Sequence, residues 1–337
     1  MLAGNSIGKE FIIACFGESH GECVGVVIDG CPAGLQLSEQ DIQEELDKRI
    51  PRSEIVSARI ERDAVEILSG VFNGFTTGAP ICALVWHKGA IPNEYELMKD
   101  TPRPGHADYP ARMKYGGFND YRGGGRFSGR ITVAFIMAGA VAKKLLGLFG
   151  IEVLAYTIKI GDVKLQKILK MEEIRENRYK SAVRCPDVAS AQAMEEAILK
   201  AKSEGDSVGG VVECIALNVP LGVGEPLFDA LDADIAKTLF NVPAVKGVEF
   251  GAGFKAAQLK GSESNDAYVI RDEKIVTLTN NAGGILGGMS SGMPILARVA
   301  IKPTPSVSKD QKTVNLSRME ETLIRVKGRH DPCIVPK

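Results

Sequence analysis

The residues best suited to chemistry lie between Arg103 and Thr132. Three consecutive glycines, Gly123–Gly125, stand between two arginines there, and an apolar, helix-like run follows Arg130. Glycine lets the backbone approach a bound group closely, and arginine forks onto phosphate or carboxylate oxygens. Ser128 or Thr132 is suited to cap the next helix, whose first N–H groups favour an anion. The pattern predicts a phosphate-binding pocket, with a flexible loop of solvated arginines as the alternative.

Two histidines stand in glycine-rich loops and are suited to proton transfer. These are His20, in the segment Gly-Glu-Ser-His-Gly, and His106, in Arg-Pro-Gly-His-Ala-Asp. An imidazole has an unperturbed pKa near 6.5, so it can exchange protons at neutral pH. Asp108 stands two residues after His106 and could orient that ring. His87 follows a predicted strand and is expected to be structural or exposed to solvent.

Several basic residues fall at predicted loops or helix ends, where they could surround a small anion. The chain has a formal net charge of -1, which argues against a broad nucleic-acid surface. Asp331, directly after His330, could serve as a base. No P-loop or dinucleotide-binding glycine pattern is present, and Ser19-His20 lacks a hydrolase context. The basic residues in question are Arg49, Arg126, Arg130, Lys302 and Arg329.

The composition is that of a globular protein, with 337 residues, 45% hydrophobic and 25% charged. No apolar run reaches the length of a membrane span, and no secretory signal is visible at the N-terminus. The seven cysteines are scattered and never form Cys-x-x-Cys. We therefore expect a cytoplasmic protein with free thiols, no metal site, no nucleic-acid partner and no membrane partner.

The elements that must position these residues alternate between strand-like and helix-like segments. A capping box at Ser38 and Asp41 predicts a helix that ends near Pro51. The segment from Gly17 to Gly34 is echoed between Gly205 and Gly222, each with a strand between a glycine loop and a Pro-x-Gly turn. This echo suggests two related halves. Strands are predicted over 10–16, 24–28, 64–69, 81–86, 151–160, 208–219 and 295–301, and helices over 130–149, 187–201 and 227–239.

Taken together, the ordered motifs resemble the chorismate synthase family. The resemblance runs from Gly4-Asn5 to the last residues. The motifs that carry it are Gly17-Glu-Ser-His-Gly21, Arg103-Pro-Gly-His-Ala-Asp-Tyr109, Tyr121-Arg-Gly-Gly-Gly-Arg126, Gly283-Gly-Ile-Leu-Gly-Gly288, Lys302-Pro-Thr and Lys327-Gly-Arg-His-Asp-Pro-Cys333.

The resemblance implies a carbon–oxygen lyase of the shikimate pathway, which leads to the aromatic amino acids. The reaction is the 1,4-anti elimination of phosphate from 5-enolpyruvylshikimate 3-phosphate to give chorismate. Reduced FMN is the implied cofactor, and there is no net redox change. NADPH and an external flavin reductase are both left open as the source of reduced flavin. A homotetramer is the implied assembly.

The resemblance also implies roles for individual residues. His20 would stabilise the departing phosphate as an acid, His106 would protonate the reduced flavin, and Asp331 would help move the substrate proton by way of flavin N5. Ser19, Arg49, Arg126 and Arg130 would hold the substrate. The implied FMN contacts are Arg49, Arg126, Phe127, Ser128, Pro243, Ala244, Gly287, Lys302, Pro303, Thr304, Pro305, Ser306 and Arg329.

The implied fold is α+β, a single domain over residues 1–337. Its helices would be sandwiched between two antiparallel β-sheets, with a pseudo-two-fold internal repeat. Three departures from the family pattern stand out. Ile131 replaces a carboxylate beside Arg130, Glu54 stands where an arginine is expected, and a final C-terminal helix is expected to be missing after Lys337. The arginine change weakens any expectation of nicotinamide binding there.

Two alternatives remain open at this stage. One is a flavin- or phosphate-binding enzyme on the same scaffold without the elimination activity, such as a flavin reductase. The other takes Arg122–Arg126 as an RNA-binding segment. Against RNA binding stand the net charge and the low aromatic content of 6%.

Overall fold

Two five-stranded antiparallel sheets organise the chain in the computed structural model, which describes residues 4–51, 53, 55–56, 63–87, 96–326 and 331–337. Each sheet belongs to one compact unit. The first unit comprises residues 1–145, 305–331 and 337, and the second comprises residues 146–304 and 332–336. The prediction of a single domain over residues 1–337 stays a prediction.

The sheet of the first unit is built around its third strand. The strand order is β1-β2-β3-β7-β4, and every neighbouring pair is antiparallel. Val24, Val26 and Ile28 alternate along the third strand and are fully buried, as period-two patterning requires. The predicted strands are confirmed here. The strands are β1 (Ser6–Ile7), β2 (Ile12–Gly17), β3 (Cys23–Asp29), β4 (Val65–Ser69), β5 (Val71–Phe72), β6 (Phe75–Thr76) and β7 (Ile81–Trp86).

Helices of the first unit follow the predicted signals. The first begins after Ser38, whose backbone N–H donates to Oδ2 of Asp41 across 2.7 Å, so the predicted capping box is present. The fourth is apolar on nearly every face, and Val133, Met137 and Val141 are fully buried in the core beside β3. The helices are α1 (Glu39–Arg49), α2 (Glu96–Asp100), α3 (Asp108–Lys114) and α4 (Thr132–Gly147).

The second unit has its own antiparallel sheet, in the order β11-β16-β10-β8-β9. Helix α6 packs against β8 and β9, and α7 packs against β11. A small core contains Leu154, Ile174 and Ile215. The elements are β8 (Glu152–Ile160), β9 (Val163–Lys164), α5 (Met171–Asn177), α6 (Val188–Ser203), β10 (Gly210–Leu217), α7 (Leu231–Phe240), β11 (Val245–Phe250), α8 (Gly261–Ser264), β12 (Tyr268–Arg271), β13 (Lys274–Thr277), β14 (Ile285–Leu286), β15 (Met289–Ser290) and β16 (Ile295–Ile301).

The chain then returns to the first unit through a hairpin of β17 (Gln311–Asn315) and β18 (Glu320–Ile324). The predicted α+β class with antiparallel sheets is confirmed. The predicted helix over 227–239 is shorter than expected, because a 3-10 turn at Leu227–Asp229 precedes α7. In the described part of the chain, no helix is both long enough and apolar enough to cross a bilayer.

The echo noted in the sequence falls on equivalent strands of the two sheets. The first glycine loop leads into β3 and the second into β10, and each strand is the third of five in its sheet. Both strands pair antiparallel with a neighbour on either side. The two sheets share this arrangement around a central strand, and the repeat of two related halves stays a prediction.

Candidate active site

The triple glycine forms a tight turn that is helical only in part. The segment Arg122–Phe127 is a 3-10 turn interrupted by positive φ at Gly123 (58°), Gly124 (87°) and Gly125 (51°). Such angles strain any residue with a Cβ, so glycine is required here for its backbone. The first two glycines also leave room for side chains from elsewhere in the first unit.

His20 lies against the first of these glycines. A Cβ at position 123 would come within 2.4 Å of the Cδ2 atom of His20 and 2.9 Å of the Ser19 Oγ. Residues 18–22 join β2 to β3, and the Ser19 backbone N–H donates to the Gly125 carbonyl across 3.1 Å. Ser19 is buried. The fold therefore places Ser19 and His20, both predicted site residues, against the triple-glycine turn.

His106 lies against the second glycine. A Cβ at position 124 would come within 2.8 Å of the His106 Cε1 and 3.0 Å of its Nε2. On the other side of the ring, Nδ1 of His106 lies 2.6 Å from Oδ1 of Asp108. This contact fixes the tautomer, with the proton on Nδ1 and the Nε2 edge toward the glycine. The predicted orienting role of Asp108 is supported by this geometry.

Arg103 holds the Asp108 carboxylate in place. Its Nε and Nη2 each lie 2.8 Å from a carboxylate oxygen, and its Nη1 donates to the Ser306 Oγ across 3.3 Å. Burial raises the pKa of Asp108, but hydrogen bonds from Arg103 and His106 outweigh it and hold that pKa well below its usual range. The carboxylate is therefore ionised at neutral pH, and predicted flavin residue Ser306 is joined to the histidine site.

The arginines that flank the glycines are both engaged within the first unit. Arg122 pairs with Asp120 at 2.8 Å. Arg126 donates to the carbonyls of Cys15 (2.6 Å) and Gly17 (3.2 Å), and to the Asn5 side chain. These bonds tie the turn to β2 and to Asn5, the residue before β1. They disfavour the RNA-binding interpretation, which needs guanidinium groups turned toward a ligand, and they make Arg126 an anchor of the turn.

Arg130 is buried and held by a bidentate pair. Its Nη1 and Nη2 lie 2.7 and 2.6 Å from the two carboxylate oxygens of Asp63, and its Nε donates to the Nε2 of His87 across 3.1 Å. Arg49, at the end of α1, donates from Nη2 to the Gly129 carbonyl across 3.3 Å. A substrate anion at Arg130 would have to compete with Asp63.

Predicted flavin residues of the second unit adjoin one another at the end of its sheet. The Lys302 backbone N–H donates to the carbonyl of Ala244, which has a positive φ of 72°. Burial and the neighbouring Lys246 ammonium lower the pKa of Lys302. Thr304 has a buried Oγ1 that finds no hydrogen-bond partner among the described residues. A phosphate group could accept hydrogen bonds from the two neighbouring lysines and from this hydroxyl.

The remaining predicted residues are less informative. Phe127 is 38% exposed and stacks obliquely near Tyr115. Ser128 accepts a hydrogen bond from the Arg130 backbone N–H at 3.3 Å, which confirms its capping role for a 3-10 turn at Gly129–Ile131 rather than for α4 directly. Asp331 lies 3.2 Å from the Lys337 Nζ. Gly287 lies in the turn between β14 and β15 and has a positive φ of 58°. Arg329, His330 and Glu54 lie outside the described residues.

Two participants were not identified from the sequence. Asp63 stands 67 positions from Arg130, and no spacing rule connects a carboxylate to a guanidinium at that distance. Arg103 was visible within the Arg-Pro-Gly-His-Ala-Asp motif, and its position five residues before Asp108 was the available signal.

Comparisons with known proteins place these features in a family. Residues 11–337 match the family model for chorismate synthase. The chorismate synthase of Dehalococcoides mccartyi is 56% identical over 334 residues, covering 99% of this chain and 92% of the relative. That of Korarchaeum cryptofilum is 55% identical over 337 residues, covering 100% and 93%. A crystal structure of chorismate synthase matches with a TM-score of 0.74 at 32% identity, covering 88% of this chain and 85% of that one.

Proposed function

Because the chain belongs to the chorismate synthase family and converts 5-enolpyruvylshikimate 3-phosphate to chorismate, we propose that the triple-glycine turn is the centre of that reaction. The observation that carries this proposal is that His20 and His106 lie against successive glycines of one turn. Because the two rings lie against adjacent backbone positions, we propose that one bound substrate contacts both imidazoles.

His20 acts on the phosphate that leaves. Elimination breaks the bond between carbon and the phosphate oxygen, and the departing group gains negative charge that a proton or a hydrogen bond stabilises. The Ser19 hydroxyl lies near the same glycine and supplies a second donor. His20 and Ser19 are therefore proposed to receive the phosphate together.

His106 carries a proton at Nε2 when its ring is protonated. Asp108, which stays ionised at neutral pH, accepts from Nδ1 and fixes the ring orientation, and Nη2 of Arg103 lies 3.2 and 3.3 Å from the two ring nitrogens. Arg103 in turn keeps the carboxylate from rotating. The three residues form a chain from guanidinium to carboxylate to imidazole that presents Nε2 at Gly124.

Among the predicted substrate arginines, the contacts support two kinds of role. Arg49 stands in the last turn of α1 and donates to the Gly129 carbonyl, so it lies beside the turn that carries Ser128 and Arg130, and we propose that it adds positive charge to the substrate site there. Arg126 and Arg130 are committed to carbonyls and to Asp63, and we propose that they shape the anion site chiefly by holding its loops. Direct contact of either with substrate stays a prediction.

Reduced FMN is the proposed cofactor, and the residues present fit its phosphate. Thr304 offers a buried hydroxyl, and Lys302 and Lys246 offer neighbouring positive charges. When bound, the reduced flavin supplies the electron density that eases loss of phosphate. Its proposed contacts are those implied by the family resemblance: Arg49, Arg126, Phe127, Ser128, Pro243, Ala244, Gly287, Lys302, Pro303, Thr304, Pro305, Ser306 and Arg329.

The finer features of the fold and assembly are also proposals. We propose one domain over residues 1–337 in which helices lie between the two sheets, related by a pseudo-two-fold repeat, and a homotetrameric assembly. The equivalent positions of β3 and β10 support the repeat. A cytoplasmic location is supported by the seven cysteines, all of which are free thiols.

An anaerobic assay tests the flavin-dependent reaction. Purified protein is mixed with 5-enolpyruvylshikimate 3-phosphate and chemically reduced FMN, and chorismate absorbance and released phosphate are followed together. We expect equal amounts of both products and none with oxidised FMN alone. Phosphate release without reduced FMN would contradict the cofactor proposal.

The same assay decides between the two sources of reduced flavin. With NADPH and oxidised FMN, turnover would indicate an intrinsic reductase, and no turnover would indicate dependence on an external one. NADPH oxidation without chorismate formation, in protein that also forms no chorismate with chemically reduced FMN, would favour a flavin reductase.

A further inference from the structure

His87 contacts the loop that carries His20 and the buried pair that carries Arg130. It follows the last residue of β7, and its backbone N–H donates to the Glu22 carbonyl across 2.9 Å. Two contacts with described residues involve the ring of the side chain. Nδ1 lies 2.8 Å from the Gly21 carbonyl oxygen, and Nε2 lies 3.1 Å from the Nε of Arg130. All of these residues belong to the first unit.

The contact with Arg130 determines which ring nitrogen of His87 carries the proton. A guanidinium is always protonated, so its Nε–H can only donate. Nε2 of His87 must therefore accept, and the proton of a neutral ring sits on Nδ1. From Nδ1 it is donated to the Gly21 carbonyl. The guanidinium itself is fixed by its bidentate pair with Asp63.

The Gly21 carbonyl is one residue from His20, so this bond acts on the catalytic loop. On the N-terminal side of His20 the loop is tied at Gly17, whose carbonyl accepts from Arg126, and at Ser19, whose N–H donates to Gly125. His87 supplies a tie on the C-terminal side. The loop is thus fixed on both sides of His20.

We propose that His87 is a positioning residue for the reaction, which fixes the Gly21 carbonyl and thereby holds the His20 ring against Gly123. The tautomer needed for this task is set by Asp63 through Arg130. This inference rests on the proposed role of His20. It assigns a task to a histidine that the sequence alone indicated only as structural or exposed.

Two amide variants separate the two ring contacts. In His87→Asn an amide N–H can stand near the position of Nδ1, so the bond to Gly21 is kept and the acceptor for Arg130 is lost. In His87→Gln the amide oxygen can stand near Nε2, so the acceptor is kept and the bond to Gly21 is lost. Both variants remove the ring and keep a neutral polar side chain, which makes each the control for the other.

We expect kcat of His87→Gln to fall about tenfold or more, because small misplacement of a catalytic group is costly, while KM for 5-enolpyruvylshikimate 3-phosphate changes less. We expect His87→Asn to retain kcat within about threefold. Equal kcat values for wild type, His87→Asn and His87→Gln would overturn the inference, as would an equal loss in both variants.

Nitrogen NMR of the unsubstituted protein gives a readout that does not depend on activity or on folding of a variant. We expect a protonated Nδ1 and an unprotonated Nε2 for His87, and the opposite tautomer would contradict the inference. Failure of the proposed function is recognised separately. If His20→Ala retained full turnover, the role of His20 would be lost, whatever the tautomer of His87.

Discussion

His106 donates from Nδ1 to Oδ1 of Asp108 across 2.6 Å, and the carboxylate that receives this bond is itself clamped by a guanidinium. The side chains of Arg103 and Asp108 are 7% and 9% exposed, so the ion pair is shielded from solvent. A shielded pair with two parallel hydrogen bonds has little freedom to rearrange. The direction in which the His106 ring presents Nε2 is therefore set before any ligand arrives.

Replacement of His106 by alanine should lower turnover sharply and leave substrate binding nearly unchanged. Proton transfer by a positioned side chain contributes roughly 10²–10⁴-fold to rate, whereas the substrate anions are held by other groups. Steady-state kcat and an equilibrium binding measurement with 5-enolpyruvylshikimate 3-phosphate check this. Wild-type turnover in the variant would remove His106 from the mechanism.

Replacement of Asp108 by asparagine should destabilise the protein at neutral pH by roughly 3–5 kcal/mol, because it leaves the buried Arg103 charge without its partner. The pKa of Asp108 is lowered on folding, so its contribution is present above the unfolded pKa of about 3.9 and is lost as pH falls below it. Urea unfolding of both proteins from pH 7 to pH 3 should show the difference shrinking below about pH 4. A difference that grew in acid would contradict the assigned charge state.

The residues that carry the chemistry could be found from the sequence, but their neighbours could not. His20 and His106 stood out because a histidine in a glycine-rich loop has few neighbouring side chains to pack against. Asp108 was close enough in sequence to suggest its contact with His106. The partners of Arg126 and Arg130 are the carbonyls of β2 and the side chain of Asp63, and a tertiary contact of that kind leaves no periodic signal. Short sequence motifs therefore identified the arginines but not their hydrogen-bond partners.

The fold shows the same division between local and long-range information. The capping box at Ser38 and the apolar run before Phe149 predicted helices that the structure contains. The strand order within each sheet could not be predicted from the sequence, because β3 pairs with β7 across three intervening strands and a helix. The echo of glycine loops before β3 and β10 was the one long-range feature that the sequence did indicate.

Alanine at position 124 should abolish most turnover for a reason that alanine at position 117 does not share. Both glycines have φ above 80°, so both substitutions carry similar backbone strain, about 1–2 kcal/mol. A Cβ at 124 would meet the His106 ring at 2.8 Å, whereas a Cβ at 117 would meet nothing within 4 Å. We expect the loss of thermal stability to be larger in Gly124→Ala, which adds the contact with the ring to the backbone strain, and a loss of kcat only in Gly124→Ala. Equal kcat values in the two variants would contradict the placement of His106.

The free thiols should react slowly in the folded protein at pH 8. Burial, with a smaller contribution from Glu213, raises the pKa of Cys214 to about 11, so little of its thiolate is present. Because the folded pKa is raised, stability should be constant below the unfolded pKa near 8.5 and should fall as pH rises toward 11. Mass spectrometry after alkylation with iodoacetamide, with urea-unfolded protein as the control, measures this. Rapid labelling of Cys214 at pH 8 in folded protein would contradict it.

Valine at position 304 should have opposite effects on the free protein and on flavin binding. The buried Oγ1 of Thr304 has no hydrogen-bond partner among the described residues, so removal of the hydroxyl from the free protein costs no bond and can raise stability slightly. If that hydroxyl donates to the FMN phosphate, its loss should weaken FMN binding about tenfold, since hydrogen bonds to charged groups are worth roughly 1.5–3 kcal/mol. Riboflavin, which lacks the phosphate, should bind Thr304→Val and the unsubstituted protein equally.

Thermal unfolding without ligand measures the stability of Thr304→Val, and fluorescence titrations with FMN and with riboflavin measure its two flavin affinities. Unchanged FMN affinity in a variant of unchanged or higher stability would remove Thr304 from the phosphate site, whereas equal weakening toward both flavins would move its contact to the ring or the ribityl chain.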